Sequence, residues 1–140
     1  DGRIVILGAS SAGGQFDILL LRLNVDGSHD RSFAGSGVTT FGRPGDRYDY
    51  AWGVALQPDG KIVLAGATSN GSDNDGLLLR YLPDGTLDRG FAAAGVFTFA
   101  VPGSREDSLA ALGLLPDGRI VAAGHAGDGQ RDAVLLICVH

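Results

Sequence analysis

A 58-residue repeat, glycine-rich turns and strands apolar on both faces together predict an all-β fold, with four-stranded antiparallel blades forming a β-propeller or an open propeller-like array. The motif Asp1-Gly-Arg-Ile-Val returns as Asp-Gly-Lys-Ile-Val at Asp59 and as Asp-Gly-Arg-Ile-Val at Asp117, each time 58 residues later. Residues 1–58 and 59–116 agree at about half of their positions without a gap. The chain therefore holds about 2.4 repeats and is expected to be a fragment of a longer array.

Each repeat contains four predicted strands separated by turn signals. In the middle repeat the strands are expected at residues 51–57, 61–67, 77–82 and 96–101, with a polar loop at residues 68–75. Pro58-Asp-Gly60 and Pro83-Asp-Gly85 mark two turns, because Pro presets φ, Asp bonds its own backbone and Gly accepts a positive φ. Residues 62–65 are apolar on both faces, which stacked blades would bury.

The repeat also predicts how the single repeat domain is divided. Residues 1–49 form a partial blade of three strands, residues 50–101 a complete blade, and residues 102–140 a second partial blade of three strands. A closed propeller has about 4–8 blades, so the remaining blades of a parent chain, or other copies, are expected partners.

Charge and hydropathy exclude two classes of partner. The net charge is −5 and the basic residues are scattered singly, whereas nucleic-acid binding depends on clustered Lys and Arg. No apolar run approaches the roughly 18 residues of a membrane-spanning helix, so no membrane span is expected in this fragment. No cofactor is expected either, with calcium as the one alternative.

The repeated residues resemble those of a known family, the bacterial delta-60 repeat. The motifs that carry the resemblance are Gln57-Pro-Asp-Gly-Lys-Ile-Val-Leu-Ala-Gly66, Asp75 with Leu79-Arg80-Tyr81, Asp84-Gly-Thr-Leu-Asp88, Phe91, and Gly95-Val96. The resemblance covers the whole chain. It implies a propeller-forming repeat of secreted or cell-surface bacterial proteins, without an established activity.

The order of the strands is similar to that of NHL-type propellers. That similarity implies that residues 51–57 and 109–115 line the propeller axis and that residues 96–101 form an outer edge. The tight Pro-Asp-Gly turns would then share one face, and the longer, more variable loops the other. Binding residues usually lie on loops that a rigid scaffold holds, so the second face is the candidate binding face.

Charged and aromatic residues near the strand entries are the candidate ligand-binding residues. They are Arg47, Tyr48, Asp49 and Tyr50, with Arg105 and Asp107 one repeat later. These charges could form a ligand-binding ring, but the recurrence of Arg47 and Asp49 as Arg105 and Asp107 favours a structural role, with each Asp capping a strand entry. Trp52 could stack on a sugar, although a tryptophan at such a position is more often packed.

Acidic residues offer two candidate cation sites. Calcium prefers several oxygen ligands from one loop, and Asp73 with Asp75 is the better candidate. Asp26, Asp30, Asp84 and Asp88 are a weaker one, because capping of Asx turns explains the same residues.

The sequence therefore predicts a non-enzymatic structural or binding module that presents its loops to a protein or a glycan. Two alternatives stay open: a self-assembling repeat array, and a propeller hydrolase or lyase acting on polysaccharide. An enzyme would need polar residues converging on the axial strands, and residues such as Val54, Leu56, Leu112 and Leu114 are apolar there.

Overall fold

The computed structural model describes residues 1–11, 14–43, 45 and 48–127, together with the backbone of residues 132–138. Over these residues the chain forms ten strands in three antiparallel sheets. The strands are β1 (Ile4–Ser10), β2 (Asp17–Leu23), β3 (Val38–Phe41), β4 (Asp49–Leu56), β5 (Ile62–Ser69), β6 (Asn74–Tyr81), β7 (Val96–Phe99), β8 (Ser108–Leu114), β9 (Ile120–Ala126) and β10 (Asp132–Cys138).

The three sheets follow the repeat and confirm the predicted fold class. The middle sheet has the order β4-β5-β6-β7, the first has β1-β2-β3, and the third has β10-β9-β8. Within each sheet every strand pairs with the next one along the chain, as in the blades of a propeller. The described chain is thus all-β and propeller-like. No helix in the described part of the chain has the length and apolar character needed to span a membrane.

Packing between sheets explains why the central strands are apolar on both faces. All eight residues of β5 are buried. Ile62 and Leu64 face a core shared with Ile18 and Leu20 of the first sheet. Val63 and Ala65 face a second core that includes Leu109 of the third sheet. Side chains alternate between the two faces of a strand. A strand whose sheet packs between two other sheets therefore requires apolar residues at every position.

Several predicted boundaries in the middle sheet were wrong, three of them by two or more residues around the loop and the last strand. Residues 68, 69, 74 and 75 lie in β5 and β6, where Thr68 pairs with Asp75 and Ser69 with Asn74, so the loop is shorter than predicted. The last strand ends at Phe99 and not at Val101. The amide of Val101 donates to Oδ2 of Asp107 at 2.7 Å and is therefore not used in the sheet.

A β-bulge shapes the first strand of the second and third sheets. Ala51 of β4 pairs with Gly66 of β5, and Gly53 pairs with the adjacent Ala65. Trp52 has no partner on β5 and is therefore the additional residue of the bulge. The pairing of β8 with β9 shows the same shift between Leu109 and Ala111. Trp52 and Ala110 thus occupy the same bulged position, one repeat apart.

Candidate functional site

An exposed row of aromatic side chains follows β4 (hereafter the aromatic row: Phe16, Tyr48, Tyr50 and Trp52). Neighbouring ring centroids are 6.0 Å apart for Tyr48 and Tyr50 and 6.2 Å apart for Tyr50 and Trp52, with interplanar angles of 12° and 17°. Phe16 extends the row, with its centroid 5.7 Å from that of Tyr50. Phe16, Tyr48 and Trp52 are 40%, 43% and 55% exposed. The packed interpretation of Trp52 was therefore wrong.

The backbone beneath the aromatic row is fixed by hydrogen bonds and burial. The amide of Asp49 donates to the carbonyl of Phe16 at 2.8 Å, which joins the first two sheets at the row. The side chain of Asp49 is buried, and its Oδ2 accepts the amide of Arg43 at 3.0 Å. Alternate residues of a strand point to the same face, so Tyr48 and Tyr50 emerge side by side. The row is therefore held on a rigid support.

A groove of about 340 Å³ lies beside the aromatic row. Tyr48, Tyr50 and Trp52 form the aromatic part of its lining. Polar residues form most of the remainder (hereafter the polar wall: Asn74, Glu106, Ser108 and His125). Aromatic surface with a few converging polar groups is typical of a ligand site, and the volume falls in the usual range for such sites.

Hydrogen bonds order the polar wall. Nδ2 of Asn74 donates to Oε2 of Glu106 at 2.9 Å, and Oγ of Ser108 lies 3.0 Å from Nδ1 of His125. The backbones of Asn74 and Arg105 are also paired, because the Asn74 amide donates to the Arg105 carbonyl at 2.9 Å. The wall thus presents a carboxylate, an amide and a hydroxyl–imidazole pair to the groove.

The aromatic row and most of the polar wall occupy the same positions of successive repeats. The bridge between Phe16 and Tyr48 recurs as the bridge between Asn74 and Glu106. In the order of the row, the counterparts 58 residues later are Asn74, Glu106, Ser108 and Ala110. One junction between blades therefore carries aromatic rings where the next carries polar groups, and the groove lies between the two sets.

Negative charge collects next to the groove. The pKa of Asp75 is raised, mainly because burial disfavours its charged form. The carboxylates of Asp107 and Asp73 raise it further, against a hydrogen bond from Asn70 and the charge of Arg43, which lower it. This location is that of the predicted cation pair, Asp73 and Asp75. Among the described residues no group of three or more His, Cys, Asp and Glu side chains could hold a metal ion.

The recurring acidic residues are engaged in structural contacts. Asp107 accepts from the amide of Val101 at 2.7 Å and from the hydroxyl of Ser104 at 2.5 Å, much as Asp49 accepts from Arg43. Arg105 is exposed, and Arg47 lies outside the described residues. Both aspartates therefore have the geometry of caps at a strand entry.

The second set of candidate calcium ligands divides into turns and ion pairs. Oδ1 of Asp26 accepts from Ser28, and Oδ1 of Asp84 from Thr86, each within an Asx turn. The other two aspartates pair with buried arginines: Asp30 with Arg22 at 2.7 Å, and Asp88 with Arg80 at 2.8 Å.

Sequence reasoning identified Tyr48, Tyr50 and Trp52 but missed Phe16 and the pairing of Ser108 with His125. A signal was present, because none of the four positions of the aromatic row is kept between repeats. Positions that fold the blade recur with the period, whereas positions that vary on a shared scaffold are free to serve binding.

Comparison with known proteins supports the fold. Residues 1–33 and 57–91 match the family described as "Domain of unknown function (DUF5122) beta-propeller". These stretches cover nearly the same part of two successive repeats, and the second stops before Glu106 and Ser108. No curated protein matches the sequence. The chain is thus similar to a β-propeller repeat family, and its blades carry an aromatic and polar groove.

Proposed function

We propose that the chain is a non-enzymatic binding module that holds a glycan chain against the aromatic row. The observation that carries the proposal is the row itself: three nearly parallel rings and a fourth, Phe16, tilted by 29° to Tyr50, on a hydrogen-bonded support. Three of the four side chains are about half exposed. Rings of this kind offer large apolar contact area at low cost in conformational entropy, and their polar edges suit a hydroxylated ligand.

A glycan fits the groove better than a protein does. Protein interfaces bury about 800 Å² on each partner and depend on a central apolar cluster. The groove measures about 340 Å³ and combines rings with hydrogen-bonding groups at Asn74, Glu106 and Ser108. That combination matches a pyranose ring, whose faces present C–H groups and whose edge presents hydroxyls.

The same proposal extends to the location of the protein and to the array of which the module is part. The motifs between residues 57 and 96 resemble the delta-60 repeat, and the order of the strands resembles that of NHL-type propellers. On this basis we place the module in a secreted or cell-surface bacterial protein, where further blades complete the array. Polysaccharide is abundant outside the cell, which agrees with the proposed ligand.

Titration with a panel of oligosaccharides tests the proposal. Trp52 is the single tryptophan of the chain, so its fluorescence reports on the groove directly, and binding should shift the emission to shorter wavelength. In calorimetry Trp52→Ala and Tyr48→Ala should each weaken binding at least tenfold, about 1.4 kcal/mol. Leu56→Ala is the matched control, because Leu56 is 53% exposed on the same strand but does not line the groove.

Two results would overturn the proposal: no binding across the panel, or unchanged binding by Trp52→Ala. One observation favours a hydrolase as a second candidate, namely the 3.0 Å contact between Ser108 Oγ and His125 Nδ1. A nucleophile of this type also needs a group that orients the imidazole, and the described residues show no carboxylate bonded to His125. Release of reducing ends from a bound glycan, lost in Ser108→Ala, would establish the enzyme instead.

A further inference from the structure

The groove beside the aromatic row is lined by more acidic than basic side chains. Its described lining includes two carboxylates, Glu106 and Asp107, and no lysine or arginine. Asp107 is buried and both of its oxygens are engaged, so it contributes charge without being available to a ligand. Glu106 is exposed and forms no ion pair with any described cationic side chain. The carboxylate of Glu106 is therefore the group that a charged ligand would meet.

The aromatic row favours the same sign of ligand charge. The face of an aromatic ring is the negative part of its quadrupole, and an ammonium within about 6 Å of the centroid is attracted to it. Tyr48, Tyr50 and Trp52 line the groove together with Glu106. Where a ring presents its face to the groove, ring and carboxylate both attract a cation and both repel an anion.

The surroundings strengthen this potential. Asp75 lies directly after Asn74 in the chain, and its raised pKa, due first to burial, also reflects the nearby carboxylates of Asp107 and Asp73, against the opposite charge of Arg43. The whole chain carries a net charge of −5, so its long-range field also favours a cation. A uronic acid or a sulfated sugar would enter this field at a cost.

We propose that the groove selects a glycan whose sugar rings carry free, protonated amines, and that the carboxylate of Glu106 binds the ammonium group. This inference rests on the proposed function, since the aromatic row supplies the affinity for the sugar rings. Glu106 adds specificity for charge. The hydrogen bond from Nδ2 of Asn74 to Oε2 of Glu106 holds this carboxylate in place on the polar wall.

Three tetrasaccharides of different charge provide the test: fully de-N-acetylated chitotetraose, chitotetraose and tetragalacturonate. Calorimetry is performed at low ionic strength and at a pH at which the amines are protonated. The cationic ligand should bind at least tenfold more tightly than the neutral one, and the anionic ligand should not bind measurably. Raising the salt concentration should remove the preference and leave the neutral affinity unchanged, because salt screens charge.

Variants assign the preference to its residue. Glu106→Gln, which removes the charge but keeps a hydrogen-bonding side chain of the same length, should reduce the ratio of the cationic to the neutral affinity to about one. Asp117→Asn is the matched control: it removes one negative charge from an exposed turn outside the groove lining and should preserve the preference. Tetralysine should not bind, and binding as tight as that of the cationic sugar would overturn the inference.

The two proposals fail in different ways. If none of the sugars binds, the glycan-binding function is wrong. If chitotetraose binds as tightly as its de-N-acetylated form, or if Glu106→Gln keeps the preference, the amine inference is wrong and the glycan-binding function stands.

Discussion

At the scale of single residues, one glycine of each repeat shows how closely the strands approach. A Cβ at Gly66 would overlap the carbonyl oxygen of Tyr50, and a Cβ at Gly124 would overlap that of Ser108. Both glycines face the bulge of the neighbouring strand. Gly8 is the first member of this series, and its nearest neighbour would be a methyl group of Leu19 at 3.7 Å. The requirement for glycine thus comes from the adjacent bulge.

We predict that Gly66→Ala destabilises the fold by about 3 kcal/mol, because the new methyl group forces the backbone of β4 away from β5. Gly8→Ala should change the free energy of unfolding by less than about 0.5 kcal/mol. Urea unfolding of both variants measures the difference. Equal losses in the two variants would contradict the explanation from the bulge.

A second residue-scale prediction concerns acid unfolding. The pKa of Asp30 is lowered to about 2, first by the hydrogen bond from the Ser32 hydroxyl and further by Arg22. Because the folded pKa lies below the unfolded value of 3.8, ionised Asp30 adds stability above that value, and the contribution is lost as the pH falls towards 2. Ser32→Ala should raise the pKa of Asp30 and shift this loss to higher pH. Urea midpoints between pH 2 and 5, with an NMR titration of the carboxyl group, measure both effects; an unchanged titration would contradict the assignment to Ser32.

At the scale of elements, recurring ion pairs anchor the third strand of the blade. Arg80 is buried, its Nε is 2.8 Å from Oδ2 of Asp88, and its guanidinium lies 4.5 Å from the centre of the Phe91 ring. Arg22, Asp30 and Phe33 repeat the arrangement in the first sheet. The third repeat has isoleucine at the corresponding position 137 of the sequence.

We predict that Asp88→Ala costs about 3–5 kcal/mol, because it leaves the buried guanidinium of Arg80 without its carboxylate. The double variant Arg80→Ile with Asp88→Ala should lose less than the single one, since an apolar pair in a buried site needs no partner. A double-mutant cycle in urea unfolding measures the coupling. Strict additivity of the two substitutions would show that the ion pair is not coupled.

Local sequence patterns account for the strands but not for their junctions. A four-stranded blade was predicted from the 58-residue repeat, the Pro-Asp-Gly turns and the strands that are apolar on both faces. Strands β4 to β7 form this blade. The bulge at Trp52 could not be predicted, because one additional residue leaves no mark on a strand that is already apolar on both faces. The contact of Phe16 with Tyr50 spans two sheets, and no periodicity within a repeat determines which side chains meet there.

At the scale of the whole molecule, the first sheet exposes residues that the second sheet buries. Ile4 and Ile6 of β1 are 48% and 40% exposed, whereas Ile62 and Leu64, one repeat later, are 1% exposed each. In the described sheets β1 is also an edge strand, because these residues include no counterpart of β4 beside it. Exposed apolar side chains along an open edge favour association with a further strand.

We predict that this chain associates as its concentration rises and that Ile6→Lys shifts it towards monomer, because a charge on an edge strand opposes pairing. Sedimentation velocity across a range of concentrations measures the shift. A compact monomer at every concentration would exclude the self-assembling array, and an association unaffected by Ile6→Lys would place the contact elsewhere.

The bulge shared by Trp52 and Ala110 has a consequence for longer chains of such repeats. Both residues are exposed at the same place in the blade, so the side chain there can change from alanine to tryptophan without disturbing the core. The valency of an array would then be set by how many blades carry a ring at this one position. Because linked weak sites reinforce one another through their effective concentration, a few such exchanges would tune retention on a polymer over orders of magnitude.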